Sequence, residues 1–271
     1  MLEIESNGAR NDDKADLALL EDAARRAGEV ALSFFGGEPR TWLKDNKSPV
    51  SEADMAVDGF LADTLRMARP DYGWLSEETT DNAERLNRAR VFIVDPIDGT
   101  RAFLAGGDEW TVALAVVEHG CPVVGVVYCP VRGEMIVAHK DGGTFLNGKR
   151  LSVSSKETLM GARISGPHSI VANKDILAAG FERTPNIRSL AYRIALVAAG
   201  RVDVAAARSG PSDWDLAAAD LLVQEAGGRL TDLTGRDIRY NKADTCHPAL
   251  IAAPRRLISP ACDVVSDVVG K

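Results

Sequence analysis

The sequence VFIVDPIDGT, from Val91 to Thr100, is the stretch around which the rest of the chain is organised. Its first four residues are apolar and mostly β-branched, which predicts a buried strand. Pro96 has no backbone N–H to donate to a neighbouring strand, so we expect the strand to end at Asp95. Gly99 permits a backbone conformation that a β-carbon would resist. The strand is therefore expected to lead into a tight, polar turn.

Two carboxylates, Asp95 and Asp98, lie in this turn, and the Thr100 hydroxyl follows them. Mg²⁺ prefers oxygen ligands and usually takes only one or two protein carboxylates, which leaves coordination positions for water and phosphate. The alternative is an ordinary turn without a ligand, because Asp, Pro and Gly are common turn residues. The motif alone leaves both interpretations open, and acids elsewhere in the chain favour the metal site.

The length and composition are typical of a soluble globular protein. The 271 residues suffice for one large domain or two closely joined α/β halves. A net charge of −7 argues against a nucleic-acid polymer as partner, and a bound cation would supply the positive charge that a phosphate ligand needs. No apolar run is long enough to span a membrane, and the polar N-terminus is not a signal peptide. The four cysteines lack a zinc-binding spacing, so we expect reduced thiols in a cytoplasmic protein.

The predicted elements divide the chain into two halves, residues 1–150 and 151–271, with the change of pattern near Arg150. A capped start at Ser51 predicts a helix over about residues 52–68. In the first half, the pattern of apolar residues predicts a helix over residues 13–35 from helical spacing. It predicts an antiparallel sheet from β-branched runs between turn residues, with strands over 111–118, 122–129, 134–139 and 142–148. In the second half the same pattern predicts strands over 202–206 and 249–253. It also predicts a helix over 188–200, a helix that begins after Ser212 and a final helix that ends at Val269.

Further acids stand where predicted helices and loops begin. Asp54 lies in a Ser-x-x-Asp pattern that resembles a capping box, which by itself would explain that acid. Glu77 and Glu78 are adjacent and repel each other unless a cation or a basic residue offsets their charge, although a solvated acidic loop is also common. Asp213 and Asp215 open a long apolar helix, where capping explains one acid more readily than two.

These acids belong to the ends of different elements, and such ends can converge on one site. Hydrolysis of a phosphate ester needs cations that neutralise the phosphoryl oxygens, activate a water molecule and stabilise the leaving alkoxide. The residues also resemble a known family, the inositol monophosphatase superfamily of Mg²⁺-dependent, lithium-sensitive phosphomonoesterases. The matching segments are SEE from Ser76, DPIDGT from Asp95 and WDLAAADLLVQEAGG from Trp214, in the family's order. The resemblance covers nearly the whole chain.

The resemblance implies a layered αβαβα sugar-phosphatase fold, often a homodimer, and a small phosphorylated substrate. It implies that two or three Mg²⁺ ions are held by Glu77, Asp95, the Ile97 carbonyl, Asp98 and Asp215. It further implies that Thr100 and Asp54 orient the attacking water, with Glu77 also counted as catalytic, and that the Gly99 and Thr100 amides contact phosphate. The pairing of Thr100 with Asp54 also follows from elementary chemistry, because a threonine hydroxyl is a poor base unless a carboxylate assists it.

The substrate is less narrowly implied. Inositol monophosphatases typically carry a glutamate seven residues before the WD aspartate, where this chain has Arg208. The segments RSGPSDWD and SPVSEAD are instead similar to those of the 3′(2′),5′-bisphosphate nucleotidases, and an arginine suits a second phosphate. Lys44 and Lys47 are further candidates for phosphate contact, and all three basic residues have the alternative of a solvated surface position. We therefore expect hydrolysis of the 3′-phosphate of 3′-phosphoadenosine 5′-phosphate. The alternatives are an inositol, histidinol or fructose 1,6-bisphosphate phosphatase, or a binding protein that has lost catalysis.

Overall fold

The computed structural model describes residues 2–44 and 49–269. In these residues the α-helices are α1 (Leu2–Phe34), α2 (Glu52–Ala68), α3 (Thr100–Leu104), α4 (His168–Val171), α5 (Lys174–Ala178), α6 (Leu190–Ala198), α7 (Asp213–Glu225) and α8 (Arg255–Val269). One 3₁₀ helix covers Ala83–Asn87. The helices predicted from the sequence are present, and α1 begins at Leu2 rather than at Asp13.

The strands form two sheets and one small hairpin. The hairpin pairs β1 (Thr41–Leu43) with β2 (Pro49–Ser51). The larger sheet has seven strands in chain order: β3 (Gly73–Ser76), β4 (Arg90–Asp98), β5 (Thr111–Glu118), β6 (Cys121–Cys129), β7 (Glu134–His139), β8 (Gly143–Leu146) and β9 (Lys149–Arg150). Apart from the parallel pair β3–β4, neighbouring strands in it are antiparallel, which confirms the predicted antiparallel sheet.

The second sheet has five strands in the spatial order β11, β10, β12, β14, β13. Their bounds are β10 (Arg163–Ser165), β11 (Glu182–Arg183), β12 (Val204–Ala207), β13 (Gly228–Asp232) and β14 (Leu250–Pro254). The strands β10, β11 and β12 are parallel to one another, whereas β14 is antiparallel to both of its neighbours. The sequence did not predict β13, which follows α7 after a single tight turn.

The prediction that the central strand ends at Asp95 is wrong, because β4 continues to Asp98. Asp95 pairs with Ala113 and Asp98 pairs with Thr111, so β4 has one more residue than β5 in this interval. Pro96 is tolerated here because a bulge does not require every backbone N–H to join the ladder. Side chains alternate along a regular strand, and the extra residue returns Asp98 to the face that carries Asp95.

Three buried apolar clusters lie between five layers of structure. One cluster packs α1 and α2 on the seven-stranded sheet, the second lies on both sides of α6 and α7, and the third packs α4, α5 and α8 on the five-stranded sheet. Alternate residues of β4 supply different clusters: Phe92 and Val94 face α2, while Val91 and Ile93 face α7. The layers therefore follow the order αβαβα, which confirms the predicted fold class.

Helix α7 lies unusually close to the seven-stranded sheet. A β-carbon at Gly125 of β6 would stand 2.6 Å from the Ala218 carbonyl oxygen, so glycine is required at that contact. The three successive alanines of α7, residues 217–219, are all buried. This close packing fixes the depth at which the first turn of α7 enters the structure, and that turn carries Asp215.

The boundary near Arg150 coincides with the last strand of the larger sheet, β9. Since α6 and α7 pack against both sheets, the division into two domains stays a prediction. The four cysteines are free thiols, and Cys129 is buried in the core. None of the described helices is long and apolar enough to cross a membrane.

Candidate active site

Three aspartates converge at the end of β4 and the start of α7. One carboxylate oxygen each from Asp95, Asp98 and Asp215 lies within 4.8 Å of the others, an arrangement able to hold a metal ion. Asp95 and Asp98 are brought to the same face by the bulge, and Asp215 is supplied by the other half of the chain. Three acids so close together repel one another unless a cation lies between them.

Asp95 lies in an electrostatically unfavourable environment. Only 1% of it is exposed, and neither of its carboxylate oxygens has a hydrogen-bond partner among the described residues. Burial and the nearby charges of Glu77, Asp98 and Asp215 raise the pKa of Asp95 well above its ordinary value. A buried, unpaired carboxylate is costly, and a bound cation relieves both the burial cost and the repulsion. The donor set thus fits a hard divalent metal.

Asp98 is held by the N-terminus of α6. The Ser189 hydroxyl donates to Asp98 Oδ2 at 2.5 Å, and the Ala191 backbone N–H donates to the same oxygen at 2.6 Å. Burial still raises the pKa of Asp98 to about 6, although these hydrogen bonds oppose the shift. Ser189 also accepts from the Tyr192 N–H as the N-cap of α6. The sequence analysis missed Ser189, whose position before an apolar helical run was the available signal.

Two capping boxes place the acids at the starts of α2 and α7. Asp54 Oδ2 accepts from the Ser51 backbone N–H at 2.8 Å and from its hydroxyl at 2.6 Å, which confirms the predicted capping box. Asp215 Oδ2 accepts from the Ser212 N–H at 2.6 Å in the same way. Burial is the largest cause that raises the pKa of both acids. Each cap occupies one carboxylate oxygen, so capping and a role in the site are compatible.

Asp213 has a different role from Asp215. Its Oδ1 atom lies 2.6 Å from His247 Nε2, and its Oδ2 atom accepts from the Asn241 N–H at 2.7 Å. Asp213 therefore fixes the segment that leads into β14, and it is buried away from the three clustered aspartates. This assignment resolves why two acids open α7.

Thr100 connects the β4 turn to α2. Its hydroxyl lies 3.1 Å from Asp54 Oδ1 and 3.2 Å from the Ile97 carbonyl oxygen, and it can donate to either. Gly99, just before it, has a φ of 94°, and a β-carbon there would lie 3.2 Å from the Ser189 nitrogen. The left-handed backbone favours glycine, and the close approach of Ser189 leaves little room for a β-carbon. The turn thereby brings Thr100, Asp98 and Ser189 together.

The paired glutamates are bridged by a lysine. Lys44 Nζ donates to Glu77 Oε1 at 2.9 Å and to Glu78 Oε1 at 2.7 Å. Burial raises the pKa of Glu78 to about 7 despite the lysine, and for Lys44 the glutamates outweigh burial and raise its pKa. Asp58 stabilises the loop that carries the two glutamates, since it accepts hydrogen bonds from the hydroxyls of Ser76 and Thr79 at 2.5 and 2.6 Å. The sequence analysis missed Asp58.

Four of these residues, Glu77, Asp98, Thr100 and Asp215, line a cavity of about 170 Å³. Its lining residues come from five separate segments of the chain: Pro49, Glu77, Ile97, Asp98, Gly99, Thr100, Arg101, Arg188 and Asp215. Acids at the base, a hydroxyl beside them and a glycine turn form a site suited to a metal ion and a phosphate group.

A model of the inositol monophosphatase family matches residues 12–265, almost the whole chain. The chain belongs to the inositol monophosphatase family. Among relatives within it, the histidinol-phosphatase of Mycobacterium tuberculosis is 37% identical over 235 residues, which cover 81% of this chain and 88% of that protein. The inositol-1-monophosphatase of Mesorhizobium japonicum is 35% identical over 234 residues, covering 81% and 86%.

Solved structures of this family share the fold. The extragenic suppressor protein suhB from Bartonella henselae superposes with a TM-score of 0.83 at 29% identity, covering 93% of this chain and 98% of that one. CysQ from Bacteroides thetaiotaomicron, described as a bacterial member of the inositol monophosphatase family, gives 0.74 at 26% identity, covering 89% and 98%. The superfamily predicted from the three motifs is thus confirmed.

The basic residues predicted to bind substrate lie at different positions relative to the cavity. Arg208 lies outside the set of described residues that line the cavity, and its Nε donates to the Ser169 hydroxyl at 2.9 Å. Lys44 faces the glutamates, and Lys47 lies outside the described residues. The cavity is lined instead by Arg101 and Arg188, which sequence reasoning missed. Their only signal was adjacency to Thr100 and Ser189.

Proposed function

We propose that this family member is a Mg²⁺-dependent phosphomonoesterase that uses water as its nucleophile. The observation that carries the proposal is Asp95, whose buried carboxylate oxygens have no hydrogen-bond donor among the described residues. Such a group is costly in a folded protein unless a cation offsets it. A site that retains this cost is expected to have a functional reason for it.

The proposed metal ligands are Glu77, Asp95, the Ile97 carbonyl, Asp98 and Asp215, which would hold two or three ions. Mg²⁺ bound there would offset the charge on the phosphoryl oxygens and favour deprotonation of the attacking water. The backbone amides of the glycine turn would contact the phosphate. All of these ligand atoms are oxygens, which Mg²⁺ prefers. Mg²⁺ usually takes only some of its ligands from the protein and keeps the other positions for water and substrate.

Thr100 and Asp54 are proposed to orient and activate the water. Thr100 would accept a hydrogen bond from the water while its own hydroxyl donates to Asp54 Oδ1. Burial raises the pKa of Asp54, which makes its carboxylate a stronger proton acceptor than an exposed aspartate. The capping box fixes Asp54 through its other oxygen, so the pair is oriented before substrate binds.

The proposed substrate is 3′-phosphoadenosine 5′-phosphate, from which the enzyme would remove the 3′-phosphate. Support comes from the nucleotidase-like segments around Asp54 and Asp215 and from the arginines at the cavity. The second candidate is a sugar or polyol monophosphatase, favoured by relatives named as histidinol-phosphatase and inositol-1-monophosphatase. A contact between Arg208 and a substrate phosphate stays a prediction, as do lithium inhibition and a homodimer.

A substrate panel tests the proposal. Phosphate release is measured with 3′-phosphoadenosine 5′-phosphate, inositol 1-phosphate, L-histidinol phosphate and fructose 1,6-bisphosphate, each with Mg²⁺ and with excess chelator. We expect Mg²⁺-dependent turnover that is fastest with the bisphosphate nucleotide. Faster turnover of inositol 1-phosphate would reject the nucleotide substrate but keep the phosphatase. Binding without release of phosphate from any compound would favour a binding protein that has lost catalysis.

A further inference from the structure

Two exposed arginines, Arg101 and Arg188, lie at the mouth of the cavity. Among the described residues, neither guanidinium has a carboxylate within ion-pair distance, whereas Arg90 is paired with three acids. The described part of the chain, residues 2–44 and 49–269, therefore offers no carboxylate that offsets the positive charge of this pair.

The guanidinium of Arg188 is also held in place. Arg188 Nη1 donates to the Arg101 carbonyl oxygen at 2.8 Å, which joins the segment before α6 to the first turn of α3. Arg101 directly follows Thr100, and Arg188 directly precedes Ser189, which holds Asp98. An anchored guanidinium loses less conformational entropy on binding an anion than a free one. Both arginines therefore lie next to the proposed reaction centre, because each directly adjoins a residue of the site in the sequence.

Both aspartates of β4 are buried, whereas Arg101 and Arg188 are exposed, so the two ends of a bound substrate would lie at different depths. Asp98 lines the cavity and is only 6% exposed, so a phosphate bound beside it lies at the base of the cavity. The cavity volume of about 170 Å³ is well below the roughly 300–1,000 Å³ of sites that enclose a small ligand. The leaving group must therefore extend past the rim, where the two exposed arginines lie.

We infer that Arg101 and Arg188 bind a second anionic group on the leaving group, so that the site selects bisphosphates over phosphomonoesters with neutral or cationic leaving groups. Guanidinium matches the geometry of phosphate and forms charge-assisted hydrogen bonds with it. The inference rests on the proposed function and identifies its substrate class. It also assigns the recognition to residues other than Arg208.

The inference orders the candidate substrates by charge. Adenosine 3′-phosphate differs from 3′-phosphoadenosine 5′-phosphate only by the absence of the 5′-phosphate, so it should bind more weakly. L-Histidinol phosphate carries a protonated amine on its leaving group, which the same arginines repel. Selectivity would then come from attraction of one class and repulsion of another.

The test compares these two nucleotides with the wild-type protein, Arg101→Gln, Arg188→Gln and the control Arg25→Gln, which changes an exposed arginine of α1. Loss of either rim arginine should raise KM for the bisphosphate about tenfold and leave KM for adenosine 3′-phosphate within about twofold. The kcat values should change little for both substrates. Calorimetry should show the same tenfold weakening for adenosine 5′-phosphate, the product that retains the second phosphate.

Several results would overturn the inference. Equal increases of KM for both nucleotides would mean that the arginines hold the reacting phosphate. An increase caused by Arg208→Gln but by neither rim variant would return the recognition to Arg208. Equal kcat/KM of the wild-type protein for both nucleotides would reject the inference and leave the phosphatase intact. Absence of Mg²⁺-dependent release from every phosphomonoester would reject the proposed function and the inference with it.

Discussion

The Thr100 hydroxyl lies 3.1 Å from Asp54 Oδ1, although 46 positions separate the two residues in the chain. Asp54 belongs to the first turn of α2, and its other carboxylate oxygen is fixed by both polar groups of Ser51. A hydroxyl held against a buried, immobile carboxylate is an arrangement suited to proton transfer from water. The same geometry also makes the pair testable as a unit.

Thr100→Val removes the hydroxyl and nearly preserves the shape of the side chain. We expect kcat to fall about a hundredfold or more, because general-base assistance typically contributes that much. The dissociation constant for Mg²⁺, measured by calorimetry, should change less than about threefold, since the hydroxyl is not a proposed ligand. The double variant with Asp54→Asn should be no slower than the slower single variant, and additive losses would contradict action as a unit.

Asp95→Asn should stabilise the metal-free protein while it impairs Mg²⁺ binding. The substitution removes a buried, unpaired charge that Glu77, Asp98 and Asp215 repel. A gain of about 1 kcal/mol corresponds to a rise in Tm of roughly 2–4 °C for a protein of this size. Thermal unfolding with chelator, followed by circular dichroism, measures the change. A lower Tm than wild type would show that Asp95 is satisfied by groups that this account omits.

Stabilisation by Mg²⁺ should depend on pH with a defined sign. The folded-state pKa of Asp98 is about 6 and that of Glu78 about 7, both above the ordinary values of 3.8 and 4.5. The metal-free fold therefore binds protons more tightly than the unfolded chain, and its stability falls as pH rises through these values. Since protons compete with Mg²⁺, the Mg²⁺-induced rise in Tm should be larger at pH 8 than at pH 5. Equal rises at both values would contradict this linkage.

Ser189→Ala should weaken both the fold and the metal site. It removes the N-cap of α6 and the hydroxyl that donates to Asp98, so the free energy of unfolding should fall by about 1 kcal/mol. We also expect Mg²⁺ to bind at least several-fold more weakly, measured by calorimetry. The control is Asn173→Ala, which removes the N-cap of α5. It should lower stability similarly without a change in Mg²⁺ affinity, and equal affinities in both variants would refute the role of Ser189.

The parts of the site that local patterns encode were predictable. The Ser-x-x-Asp pattern at Asp54 indicates a capped helix start, and the capping box places this acid as the pattern requires. The succession of apolar, β-branched runs and turn residues after Thr111 predicted the antiparallel sheet. The layered fold followed from the family resemblance rather than from these patterns. The local signals succeed because helix caps and strand faces depend on neighbours in sequence.

Features that depend on pairing between distant segments were not predictable from one sequence. The bulge in β4 exists only relative to its register with β5, and so the strand was expected to end at Asp95. Ser189 reaches Asp98 across 91 positions, and nothing local to either residue signals the contact. Arg188 reaches the Arg101 carbonyl oxygen across 87 positions, while the substrate contact of Arg208, expected from its spacing from Asp215, stays a prediction. Tertiary packing decided each of these positions.

The Mg²⁺ dependence of phosphate release tests the central claim most directly. Initial rates with 3′-phosphoadenosine 5′-phosphate are measured for the wild-type protein and for Asp95→Asn, Asp98→Asn and Asp215→Asn, with circular dichroism to verify folding. The account predicts saturable activation of the wild-type protein by Mg²⁺, no turnover in excess chelator, and a loss of about a hundredfold or more in each folded variant. Full wild-type turnover in chelator, or near wild-type turnover by Asp98→Asn, would contradict it.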